Sequence, residues 1–235
     1  MSERDISSLE DRIGYHFKNK ELLIAALSQS SYYNEAKAKG EKAYCNERLE
    51  FLGDSVLSLI VSSYLFEKYK TSFEGDLSKT RSYTVSEKPL SQFAAKIELG
   101  SYLLLGHGED NEAGRTKPSI TSDAFEALIA AIYLDSGFEA ASKFVLPFAE
   151  KHIEMLEKDN ITVDYKSLLQ QIVQQEQGEL LEYRLTKEEG PAHDRVFHVS
   201  AMLNNNVIGN GVGKSKREAE QRAAKDALTL FGKAE

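Results

Sequence analysis

From Leu9 to about His152, apolar residues recur mostly at i, i+3 and i+4, the spacing of helices that bury one face. Proline is scarce there, occurring only at Pro89, Pro118 and Pro147. The pattern predicts an all-helical domain with breaks at Lys39–Gly40, Phe73 to Asp76 and Glu87 to Pro89, and a long polar loop from Gly106 to Pro118. Beyond Val163 the periodicity changes. A helical stretch, Lys166 to Gln177, precedes strands near Glu182 to Lys187 and Arg195 to Leu203, a turn at Asn204 to Asn206, a further strand and a helix from Ser215. In the middle strand Phe197, Val199, Ala201 and Leu203 alternate with Val196, His198, Ser200 and Met202, so the first set should pack on the helices. The expected fold class is multidomain: an all-α domain, residues 1–156, then a small α+β domain of order α-β-β-β-α, residues 163–232. Residues 157–162 are polar with little to bury and read as the linker.

A chain of 235 residues can bury one good core and a smaller second one. Met1 to Asp11 is dotted with acids and lacks an apolar core segment, unlike a secretory signal or transit peptide. Apolar runs such as Ala127 to Leu134 fall short of the ~20 residues of a membrane span. A soluble cytoplasmic protein without a membrane partner is expected. Cys45 is the only cysteine, which excludes an internal disulfide and a cysteine-cluster metal site and fits a reducing compartment. Nothing basic flanks it to make it a nucleophile. Any metal would need oxygen ligands.

The net charge of −8 looks wrong for a nucleic-acid binder until it is divided along the chain. Residues 164–235 hold 10 basic and 11 acidic residues, so the acid excess sits in the first two-thirds. Gly211 to Lys225 carries Lys214, Lys216, Arg217, Arg222 and Lys225 against Glu218 and Glu220, a short basic stripe.

The segment Asn46-Glu47-Arg48-Leu49-Glu50-Phe51-Leu52-Gly53-Asp54-Ser55-Val56-Leu57 carries the most chemistry. On a helix Glu47, Glu50 and Asp54 fall within roughly 60°, with Leu49, Leu52, Val56 and Leu59 on an opposite, core-facing side. A second helix repeats the design, Asp123 and Glu126 opposing Phe125, Leu128 and Ile132. A single acidic pair usually marks a solvated face. Here Glu50 and Asp54 form a like-charge i,i+4 pair, and no Lys or Arg follows Glu47, Glu50, Asp123 or Glu126 at i+4. A hard cation such as Mg²⁺, which takes carboxylate oxygens together with substrate phosphate, would neutralise them. Gly53, costly inside a helix, suggests close backbone approach by another helix or subunit, or plain packing.

The run Asn46 to Leu57, NERLEFLGDSVL, resembles the signature stretch of the ribonuclease III family, and Ser122 to Ala130, SDAFEALIA, resembles its second acidic motif. Glu74-Gly75-Asp76 between them also looks like the family pattern. The resemblance implies a metal site of Glu50, Asp54, Asp123 and Glu126, with Asp54 and Glu126 the catalytic pair. It implies further that Glu47 lines the acidic valley and helps hold the dimer or substrate, and that Glu74 sits near the scissile strand. The C-terminal region resembles the double-stranded RNA-binding domain through Ser167, Gln170 and Gln174, through Gly190-Pro191-Ala192-His193, and through Gly211 to Glu220. By that likeness Ser167, Gln170, Gln174, His193, Lys214, Lys216 and Arg217 contact RNA. Glycines there permit close backbone approach, and a helix N-terminus with basic side chains attracts phosphate across a groove.

The implied protein is a homodimeric endoribonuclease that hydrolyses double-stranded RNA with Mg²⁺, or Mn²⁺ as substitute, leaving 5′-phosphate and 3′-hydroxyl ends during processing of ribosomal RNA precursors and other structured RNAs. Two rivals remain at this stage: a non-catalytic RNA-binding scaffold, which leaves the acids unexplained, and a helical metallohydrolase of small phosphate esters, which leaves the C-terminal region unexplained.

Overall fold

The structure, a computed structural model, describes residues 3–158, 165–174, 179–191 and 194–232. Two compact units divide the chain at residues 162 and 163. The first holds α1 (Glu3–Ile13), α2 (Lys20–Leu27), α3 (Ser30–Ala38), α4 (Glu47–Lys68), α5 (Glu74–Thr84), α6 (Glu87–Lys96), a 3-10 turn (Leu99–Tyr102), α7 (Glu112–Thr116) and α8 (Pro118–Lys158). The second holds α9 (Tyr165–Gln174), β1 (Leu181–Glu189), β2 (Val196–Leu203), β3 (Asn206–Gly213) and α10 (Lys216–Leu230). The expected fold class is therefore present: a helical unit, then an α-β-β-β-α unit.

The core of the first unit is the seam between α4 and α8. Gly53, Val56, Leu57, Ile60, Val61 and Leu65 of α4 are buried, at the i, i+3, i+4, i+7 spacing of one helix face. Facing them, Ala124, Phe125, Ala127, Leu128, Ile129, Ala131 and Ile132 of α8 are fully buried. Four rings fix this part of α8: Phe125 lies 5.4–5.9 Å from Phe93, Phe144 and Phe148, clamping α8 to α6 and to its own second half. Both halves of α8 can touch one ring because the helix kinks at Gly137, whose φ of 83° is left-handed. Just before the kink, Asp135 accepts hydrogen bonds from Tyr15 Oη and from the Lys18 and Asn19 amides, at 2.5–2.9 Å.

The expected breaks move by a few residues. Glu74 begins a helix rather than lying in a break, and Pro89 stands in the first turn of α6, where its missing N–H leaves no partner unsatisfied. The loop from Gly106 to Pro118 contains α7, too short to show periodicity, capped by Asn111 Oδ1 accepting from Gly114 N at 2.9 Å. Leu59, expected in the core, is 56% exposed, because the buried stripe runs through Leu57 and Ile60 instead. α8 continues through Lys158, so the first two residues of the expected linker, Glu157 and Lys158, are helical, and residues 159–162 lie outside the described residues. By length and composition α4 would pass as a membrane span, yet six of its residues are buried in this core and its first two turns are acidic.

In the second unit β1, β2 and β3 form an antiparallel sheet in that order. Val199 and Ala201 are buried and Phe197 and Leu203 partly so, packed with Leu169 and Val173 of α9 and the alanines of α10. The expected alternation of β2 is thus the one observed, although Ser200 and Met202 on the other face are buried too. Asn204 and Asn205, with φ of 48° and 70°, make the β2–β3 turn.

Candidate functional site

The α4–α8 seam sets two acidic faces against each other. Ligand oxygens of Glu50, Asp123 and Glu126 lie within 4.8 Å of one another, all three residues half-buried. Asp54, exposed one turn further along α4, is close enough that its charge acts on Glu126. Among the described residues, none of these four carboxylates forms an ion pair with a Lys, Arg or His.

Uncompensated charge shows in the acidities. Burial, then the charges of Asp54, Glu50 and Asp123, push the Glu126 carboxyl up to about 8. Burial and the neighbouring charges of Asp123 and Glu47 raise Glu50. Burial and the charge of Glu87 raise Asp123, against a lowering hydrogen bond from Ser122. The structure brings Glu47 within electrostatic reach of Glu50, but keeps Glu74 outside the three-residue group. Glu74 lies at the start of α5, accepts from Ser78 Oγ at 2.7 Å, and lines a cavity of about 500 Å³ with Ser62, Phe66 and Arg81. Glu87 went unnoticed in the sequence. It is a single acid at a helix start with no periodic signal, and only the packing of α6 on α8 brings its charge to Asp123.

Anionic oxygens gathered this closely, partly desolvated and without a protein cation, suit a hard divalent ion. Donor chemistry and spacing both fit. Burial raises the Cys45 thiol above its ordinary value, which disfavours the thiolate.

In the second unit Ser167 and Gln174 are exposed and Gln170 half-buried on α9, while Lys214, Lys216 and Arg217 are exposed where α10 begins. His193 lies outside the described residues. Ser215 caps α10, its Oγ accepting from Glu218 N at 3.1 Å, and Glu218 reaches back to accept from Lys214 N at 2.8 Å, a variant of the capping box. The close approach that Gly211 permits is to α10, since a Cβ there would lie 2.1 Å from the Ala219 carbonyl oxygen.

Comparison with known proteins agrees with both units. Residues 19–153 match the family model described as Ribonuclease-III-like, and residues 165–230 match the double-stranded RNA binding motif. Ribonuclease 3 of Borreliella burgdorferi is 49% identical over 223 residues, 95% of this chain and 90% of that protein. Ribonuclease 3 of Caldanaerobacter subterraneus is 46% identical over 227 residues, 97% of this chain and 98% of the relative. A solved nuclease domain of ribonuclease III from Campylobacter jejuni, whose description concerns flexibility in a region of dimer formation, superposes with a TM-score of 0.56 at 47% identity, covering 62% of this chain and 96% of that one. A second structure of that domain gives a TM-score of 0.57 at 46% identity, covering 65% and 97%. The acid-bearing α4–α8 seam, the α-β-β-β-α unit and these likenesses agree: the chain belongs to the ribonuclease III family of double-stranded-RNA endoribonucleases.

Proposed function

We propose that the protein hydrolyses phosphodiester bonds of RNA duplexes with Mg²⁺, Mn²⁺ serving as substitute, held by Glu50, Asp54, Asp123 and Glu126. The observation that carries this reading is the uncompensated approach of Glu50, Asp123 and Glu126 within 4.8 Å. When bound, the ion supplies positive charge to the scissile phosphate and acidity to the attacking water. The chain supplies the rest. Asp54 and Glu126 form the catalytic pair, taking the proton the nucleophilic water gives up and passing a proton to the departing 3′ oxygen. Attack at phosphorus breaks the bond to the 3′ oxygen, leaving 5′-phosphate and 3′-hydroxyl ends. Glu47 extends the acidic surface, and Glu74 flanks the strand being cut.

The active form in this reading is a homodimer. Phe51, Leu59 and Phe66 of α4 are 78%, 56% and 75% exposed, and they cluster within about 80° of the helix circumference beside Glu47. An apolar stripe next to an acidic face suits an isologous contact between two copies, which would set two catalytic groups on either side of the axis so that each cuts one strand, with short 3′ overhangs. Ser167, Gln170, Gln174 and His193 would reach minor-groove edges and 2′-hydroxyls, and Lys214, Lys216 and Arg217 the phosphates. Residues 163–232 then act as the duplex-binding domain, the nuclease domain precedes them, and the natural substrates are ribosomal RNA precursors and other structured RNAs of the cytoplasm.

The test is cleavage of a labelled RNA duplex by the protein and by Glu126→Gln, with Mg²⁺ and with EDTA, alongside duplex binding. Metal-dependent cutting by the unmodified protein, with a variant that binds and does not cut, is the expected result. Equal cutting by both proteins would overturn the assignment of Glu126.

A further inference from the structure

The basic stripe at the start of α10 is met by acids from the β1–β2 region. Lys214 Nζ lies 3.3 Å from Asp194, and Lys216 Nζ lies 3.3 Å from Glu188, which also pairs with Arg195 Nη1 at 3.3 Å. The two other acids near the stripe have structural partners. Glu218 caps α10 and pairs with Arg222 at 2.6 Å, and Glu220 pairs with Lys166 at 2.6 Å. Asp194 and Glu188 differ because the cations they hold are those assigned to phosphate. The Lys214–Asp194 pair is 81% and 62% exposed, so solvent screens it and it exchanges readily.

We propose that Asp194 and Glu188 occupy Lys214 and Lys216 as intramolecular stand-ins for RNA phosphate, so that duplex binding exchanges carboxylate for phosphate. The inference rests on the reading of this unit as the duplex-binding domain. Its consequence is lower affinity and a shallower salt dependence than the same lysines would give alone. As Lys214 meets a phosphate the RNA releases a condensed cation, but the displaced carboxylate recruits one in its place, so the net release of counterions is smaller. The acids thus set how stringently the unit selects long duplexes, where many contacts add, over short ones.

The experiment measures duplex binding by the full chain without divalent metal, over a series of salt concentrations, using an RNA of about 20 base pairs, long enough for the ~16-base-pair footprint of such domains. Four proteins are compared: unmodified, Asp194→Asn, Lys214→Ala, and the two changes combined. Lys214→Ala leaves Lys216 and Arg217 to hold the duplex, so binding stays measurable. Asp194→Asn should tighten binding about threefold at low salt, the scale of one exposed ion pair, and steepen the salt dependence. In the Lys214→Ala background the same substitution should change nothing. Equal tightening in both backgrounds would mean that Asp194 merely repels RNA, and no tightening would mean that the pair does not compete; either overturns the proposal. Failure of all four proteins to bind duplex overturns the functional reading itself, and this inference with it.

Discussion

Gly53 of α4 lies directly against the main chain of Glu126 on α8: a Cβ built on it would stand 1.9 Å from the Glu126 carbonyl oxygen and 2.5 Å from its carbonyl carbon. Neither atom is the end of a flexible side chain, so the contact cannot be relieved by a rotamer change. The spacing of the two acid-bearing helices is therefore set at the residue preceding Asp54, beside the backbone that carries Glu126. Position 53 decides how closely the oxygens of Glu50 and Glu126 approach.

Gly53→Ala should accordingly damage activity more than stability. Overpacking of this kind costs about 1–3 kcal/mol, partly offset by the ~1 kcal/mol by which Ala outranks Gly in a helix. Thermal unfolding should fall by a few degrees, whereas cleavage should drop far more steeply and require more Mg²⁺. Unchanged cleavage across a Mg²⁺ titration would show that α4 can slide without disturbing the acids.

Much of this site was legible in the sequence because it is written in helical spacing. Glu47, Glu50 and Asp54 share a face by arithmetic alone, as do Asp123 and Glu126, and Gly53 stood out as a breaker with no local reason to be there. What spacing cannot give is distance between elements. It did not reveal that Glu126 is the most perturbed acid, that Glu87 reaches Asp123, or that Leu59 faces outward, because each depends on how α4, α6 and α8 pack. Glu218 and Glu220 were visible within the basic stripe, but the pairing of Lys214 with Asp194 and of Lys216 with Glu188 depends on the sheet bringing those acids to α10.

Glu126 makes metal binding and stability depend on pH. Its carboxyl titrates near 8 in the folded protein, well above the ordinary 4.5, so folding takes up a proton between those values. Stability of the metal-free protein should fall as pH rises from about 4.5 to about 8, by on the order of 2–4 kcal/mol from this group. Glu126→Gln should flatten that loss, raising the metal-free unfolding temperature at pH 8 with little change at pH 4.5. Titration of Mg²⁺ into the unmodified protein at pH 7 should release protons, measurable by calorimetry in buffers of different ionisation enthalpy. Binding heats independent of buffer would show that Glu126 is already ionised.

The exposed stripe on α4 predicts assembly state. Phe66, 75% exposed and well separated along the helix from Glu50 and Asp54, can take a charge without touching those two acids, although it shares a cavity with Glu74. Phe66→Glu should leave helicity intact and shift the protein toward monomer in sedimentation at micromolar concentration, with cleavage of both strands becoming uncoordinated or lost. A variant that still sediments as a dimer would place the interface elsewhere.

Arg115 ties the segment entering α8 to the rest of the helical unit. Its Nη1 donates to the carbonyl oxygens of Gly100 at 2.8 Å and Leu103 at 3.1 Å, while Nε donates to Asp110 at 2.9 Å and Nη2 pairs with the same carboxylate at 2.7 Å. One planar group thus joins the 3-10 turn to the loop around α7, three residues before Pro118 opens the helix that bears Asp123. Lysine cannot reproduce this fork, having a single nitrogen for acceptors on opposite sides. Arg115→Lys should therefore destabilise the helical unit by about 1–3 kcal/mol, as expected when half-buried acceptors lose a charged donor. If the tie also holds the start of α8 in place, cleavage measured well below the unfolding temperature should require more Mg²⁺, with duplex binding unchanged. Loss of stability with an unaltered Mg²⁺ requirement would confine Arg115 to holding the loop together.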